Sequence, residues 1–154
     1  MSNSLAAMPI IDVDTHYTEP PDLWTSLAPD ALKSRAPRVP SDADGTQTWI
    51  VDEDLQLGPV GYCVIRADGS KALGTTTLTR MEDMHPGASQ TGERLRFMDE
   101  QGISKQVLYP NVLGFAGSFV MNIRDVPLRN FCVQAYNEHS AGLQRDGGGR
   151  LLPQ

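Results

Sequence analysis

Only two cysteines, Cys63 and Cys132, occur in 154 residues, and no CxxC spacing joins them. Their isolation argues against a disulfide framework and leads us to expect two reduced thiols in a cytoplasmic protein. Basic residues are few: 13 Lys and Arg face 19 Asp and Glu, for a net charge of -6. They form no cluster, so no nucleic-acid partner is expected. No apolar run approaches the roughly 18 residues a membrane span needs. The opening stretch "MSNSLAAMP" lacks both a basic region and a long apolar segment, so no signal peptide is expected. Internal repeats and low-complexity segments are also lacking.

The remaining composition, 40% hydrophobic and 21% charged, is that of a globular chain with room for one core. Its most unusual stretch is "PIIDVDTHYTEPPDLW", residues 9–24. β-branched residues there alternate with Asp12, Asp14 and His16, and the period of two predicts a strand with all three polar groups on one face. Such a face in a dry parallel sheet costs several kcal/mol per unpaired carboxylate. A divalent cation would offset that cost, since carboxylate oxygen and imidazole nitrogen both suit Zn or Mn. A hydrogen-bonded strand end without metal is the alternative from spacing alone. Asp14 and His16, nearest the C-terminal end of the strand, are best placed for a site.

Further along, Asp22 is expected to cap a short helix through Leu27, and a second short helix is expected around residues 31–34. "QTWIV" and "YCVIR" read as two short strands of a hairpin or meander within residues 47–66, separated by "DEDLQLGPVG". "MHPGASQTG" reads as loop. "TGERLRFMDEQGI" predicts a helix with Gly102 at its C-terminal cap. "KQVLYPN" predicts a strand ended by Pro110. After a glycine-rich loop, Asp125 should cap a helix with Pro127 in its first turn. Leu128, Phe131, Cys132, Ala135, His139 and Leu143 fall on one face of that helix. "RDGGG" stops it, and "RLLP" starts another strand. The alternation of helices and apolar strands argues for parallel βα units in an α/β fold. Two and a half such units seldom complete a sheet, so the chain reads as unfinished.

The opening motif also resembles the start of the amidohydrolase-related metal-dependent hydrolases, the branch of the amidohydrolase superfamily that contains aminocarboxymuconate-semialdehyde decarboxylase. "RAPRV", "HPGA", "RLRFMDEQGISKQVLYPN" and "AYNEH" follow in the family's order. The resemblance implies the N-terminal portion of a (β/α)8 TIM barrel. Residues 1–154 would be an incomplete barrel domain, with residues 40–90 a small β insertion between strand one and helix one. It implies a divalent metal, Zn or Mn, held by Asp14 and His16, with Asp12 deeper and not a ligand. Glu19, Tyr109 and Asn111 would contact a small-molecule substrate. The activity implied is hydrolysis or non-oxidative decarboxylation of a small carboxylated, often aromatic, compound by a cytoplasmic homo-oligomer. The family's other ligands have no match here: His85 is expected in an exposed loop and His139 in helix packing. A truncated, non-catalytic fragment or accessory protein with a vestigial metal site is the competing expectation.

Overall fold

The computed structural model describes residues 8–113 and 119–154. The opening residues and the glycine-rich loop expected before the last helix fall largely outside the described residues. Among the described residues, five strands and four α-helices run in the order β1 (Ile10–His16), α1 (Leu23–Leu27), α2 (Asp30–Lys33), β2 (Thr48–Val51), β3 (Leu55–Pro59), α3 (Thr91–Gln101), β4 (Ile103–Tyr109), α4 (Val126–Asp146) and β5 (Leu151–Pro153). β1, β4 and β5 form a parallel three-stranded sheet in that spatial order, and β2 pairs antiparallel with β3 outside it. The fold is therefore mixed α/β with a parallel sheet. No helix among the described residues is long and apolar enough to cross a membrane.

Local chemistry explains the helix ends. Gly102 takes φ 68° and its N–H reaches the carbonyls of Asp99 and Met98, which closes α3 in the left-handed cap that glycine adopts at least cost. The Asp125 carboxylate accepts the Leu128 N–H at 3.1 Å and starts α4, with Pro127 in the first turn. Asp22 precedes α1 but makes no side-chain cap. α4 ends at Gly147, where a Cβ would meet the Leu143 carbonyl and the Leu151 side chain at 2.8 Å, so only glycine lets β5 turn back so tightly.

One strand differs from the expectation. The hairpin's second strand is Leu55–Pro59, inside the stretch read as a connector, whereas residues 62–66 make only isolated bridges. The cause is a tight turn. Asp52 takes φ 58° and reverses the chain at once, so the pairing is complete before Tyr62.

The insertion is packed into the body. Trp24 of α1 and Trp49 of β2 meet edge to face at 5.2 Å, both fully buried. Trp24 Nε1 donates to the Cys132 carbonyl of α4 and Trp49 Nε1 to the Val60 carbonyl. Arg35 binds both Asp52, at the hairpin turn, and Asp125, at the α4 cap; it holds the Asp52 carboxyl below its usual range, and the Leu128 N–H together with Arg35 does the same for Asp125. A second cluster of Tyr17, Met98, Leu108, Leu143 and Leu151 seats α3 and α4 on the sheet.

Replacing Trp49 by Phe should keep most of the ring contact but orphan the buried Val60 carbonyl. We expect a loss of about 1–3 kcal/mol in urea unfolding, with faster hydrogen exchange concentrated in β2 and β3. Unchanged stability would show that the insertion is not fastened through this bond.

Candidate functional site

The site candidates gather where the C-terminal ends of β1 and β4 meet. The strands are not in simple register. Asp12 pairs with Gln106 and Thr15 with Leu108, so three steps along β1 match two along β4. β1 thus carries one extra residue, a bulge, and a bulge breaks the alternation of side chains. The common face expected for Asp12, Asp14 and His16 is corrected for Asp12 and His16, which the register sets on different faces. Asp12 lies beside Gln106, whose Nε2 donates to it at 2.9 Å, on the side of the sheet where Leu108 meets α3. His16 pairs with Tyr109. One step from Leu108, that position faces away from α3. Asp14 sits within the bulge, exposed, its N–H donating to Asp12 Oδ1 at 3.2 Å.

His16 is held firmly. Its Nδ1 lies 3.2 Å from the Pro110 carbonyl, which can only accept, so Nδ1 is the donor, and in the neutral ring the lone pair is on Nε2. That tautomer is the one a metal ligand needs, and a carbonyl on the far nitrogen is a common support for metal-binding histidine. The His16 carbonyl accepts from Arg94 Nη2. Tyr62 and Tyr109 flank the ring at 5.9 and 6.2 Å between centroids.

Glu19 is not the mouth acid the motif suggested. It is 1% exposed, and its Oε1 accepts the backbone N–H groups of Asn111 at 2.9 Å and Val112 at 3.2 Å. Asn111 Nδ2 in turn donates to the Tyr17 carbonyl at 2.7 Å. The carboxylate therefore clamps the loop after β1 to the loop after β4. Burial pushes its pKa up to about 7, against the lowering effect of those N–H donors. Its Oε2 and the Asn111 Oδ1 are both buried without a partner.

A cavity of about 530 Å³ wraps round the free edge of β1. Its walls include Asp12, His16, Tyr62, His85, Arg94 and Gln106; Glu19, Tyr109 and Asn111 are not among them. His85 is half-buried rather than exposed, with Nδ1 accepting the Gly87 N–H and the ring packed on Phe97 at 5.9 Å. Arg94 escaped the sequence reading. It is 8% exposed, its guanidinium lies 5.8 Å from the Tyr17 ring centroid, and burial lowers its pKa. Its place in the first turn of an amphipathic helix gave no sign of burial. His139 packs in α4 as expected, 6.0 Å from the Tyr17 ring, and burial lowers its pKa.

The donor set does not by itself make a metal centre. Among the described residues no three His, Cys, Asp or Glu side chains stand close enough together to hold an ion. Catalytic zinc normally has three protein ligands. Asp14 and His16 can supply two at most, and any further ligand must come from outside the described residues.

No protein-family model matches the chain, and no curated protein sequence does. Its structure is similar to the crystal structure of an amidohydrolase from Mycobacterium avium subsp. paratuberculosis K-10, with a TM-score of 0.60 and 21% identity over 96% of this chain. The chain spans 42% of that protein's length. The likeness defines the fold as that of part of an amidohydrolase structure.

The raised pKa of Glu19 gives a pH test. Its folded value of about 7 exceeds the ordinary 4.5, so the folded chain keeps a proton the unfolded chain has released. The contribution is fully present below pH 4.5 and is lost as pH rises through about 7, a change on the order of 3 kcal/mol. Glu19→Gln retains one acceptor and offers an N–H toward Asn111. We expect it to be more stable than the parent at pH 8 and to remove most of the decline measured between pH 5 and 8. A variant less stable at pH 8 would mean the ionised clamp is favourable.

Proposed function

We propose that the chain is the N-terminal portion of a metal-dependent hydrolase or non-oxidative decarboxylase built on a (β/α)8 barrel. Asp14 and His16 provide two ligands for Zn or Mn. The substrate is a small carboxylated, often aromatic, compound approaching the C-terminal strand ends beside Tyr109. Glu19 and Asn111 act there by fixing the loops that frame the substrate. The observation that carries this reading is the His16 tautomer: Nδ1 is committed to the Pro110 carbonyl at the C-terminal end of a parallel strand pair. The likeness of the fold to part of an amidohydrolase supports it. A bound divalent ion would supply Lewis acidity and an acidified water. This chain's residues orient the imidazole, hold the two loops and line the approach. The unpaired thiols Cys63 and Cys132 suit a reducing compartment such as the cytoplasm.

A second reading, a non-catalytic fragment or accessory protein with a vestigial site, is favoured by the same ligand count that limits the first.

The experiment is metal analysis on residues 1–154. We expect Zn or Mn to be substoichiometric after gel filtration, weaker by several orders of magnitude than a three-ligand site given that lost supporting contacts alone cost about 10–100-fold. His16→Ala should remove what remains. Residual metal unaffected by His16→Ala and by Asp14→Ala would favour the non-catalytic reading. One tightly held equivalent on a stable monomer would show that a third ligand lies within this chain.

A further inference from the structure

Arg94 is a buried cation without a counter-charge. Its Nη2 donates to the His16 carbonyl, its guanidinium lies 5.8 Å from the Tyr17 ring centroid, and its Nε is buried with no partner. Among the described residues no carboxylate stands within ion-pair distance of it. Asp12, the carboxylate whose charge reaches it, is already engaged: Oδ1 accepts the Asp14 N–H and Oδ2 the Gln106 amide. A carbonyl and a ring face offset only part of what burying a cation costs. An anion would offset the rest. Arg94 stands in the wall of the cavity of about 530 Å³, a volume within the ordinary range of small-molecule sites, about 300–1,000 Å³.

The rest of the wall limits which anion fits. His85 Nδ1 accepts the Gly87 N–H, so in the neutral ring Nε2 carries the proton and is a second donor. The apolar part is mostly aliphatic: Val64 and Ile65 from the insertion and Ile103 from β4, with Phe97 of α3. One cation suits one negative charge. A phosphate dianion would bring a second charge with nothing to meet it. We propose that the cavity binds a small aliphatic monocarboxylate, with its carboxylate on Arg94 and its chain along Val64, Ile65 and Phe97. Asp14, Tyr109 and Asn111 lie outside the wall, so binding here requires neither a metal nor a hydrolase.

The test uses residues 1–154 with hexanoate, its neutral amide hexanamide, and inorganic phosphate as probes. We expect hexanoate to shift the Arg94 Nε–H NMR signal in a saturating way, with a heat of binding that fits the same dissociation constant. At about ten times that constant it should also slow alkylation of Cys63, which lines the cavity, by about tenfold. Cys132 is fully buried and serves as the internal control. Hexanamide and phosphate should leave all of these readouts unchanged. Val64→Trp fills the cavity without touching the bond from Arg94 to the His16 carbonyl. It should abolish the heat and the Arg94 shift while the thermal midpoint stays near the parent's. No shift with hexanoate would overturn the proposal. So would equal binding of hexanamide, which reads the chain and not the charge, or of phosphate, which reads the charge alone. Undiminished binding by Val64→Trp would overturn it too, because the carboxylate would then sit outside this cavity.

Discussion

The Glu19 carboxylate is the contact on which the site depends. One oxygen accepts two backbone N–H groups from residues 92 and 93 positions away. Through it the loop leaving β1 is fixed to the loop leaving β4, and Asn111 adds a second tie, its side-chain Nδ2 donating to the Tyr17 carbonyl. A buried carboxylate is costly, and two amide donors offset only part of that cost, which is why the group holds its proton far above the usual range. The arrangement trades stability at neutral pH for position. Without it, Pro110 and its carbonyl would lose their fixed place above His16.

A second layer supports the same few residues from below. Arg94 binds the His16 carbonyl and stacks near Tyr17, whose hydroxyl donates to the Ser89 carbonyl. Thr18 N–H reaches the Ala88 carbonyl, and Gly61 packs so close to Thr18 that a Cβ would lie 2.6 Å from its hydroxyl oxygen. Residues 16–19 are thus gripped by α3, by the insertion and by the β4 loop together. The insertion, fastened to α1 and α4 through the tryptophan pair, is part of what holds the strand end.

Much of this was legible in the sequence where a local rule decides the outcome. Gly102, Pro110, Asp125 and Pro127 each act through their own backbone, and the elements they bound fell where expected. The parallel sheet followed from the alternation of elements. Three features were not legible because each depends on a distant partner. The bulge between Asp12 and Thr15 is a mismatch with β4, so period two overstated the shared face. Glu19 is buried by amides more than 90 residues away, and Arg94 by a carbonyl 78 residues away. The hairpin strand at Leu55–Pro59 was missed for a local reason: Gly58 and Pro59 normally argue against strand, and here they sit at its end.

His16 is organised by this chain's own groups. Its ring nitrogen and its own carbonyl are both anchored by groups within residues 16–110. Neither anchor involves the free edge of β1 or any group beyond it. Asp14 is the opposite case: it stands in the bulge, exposed, with only its backbone N–H engaged among the interactions described. A strand added at that edge would desolvate Asp14 and leave His16 where it is. Charge at Asp14 is then the quantity that any group brought against it must balance. Imidazole orientation, by contrast, is already set by the fold of this chain.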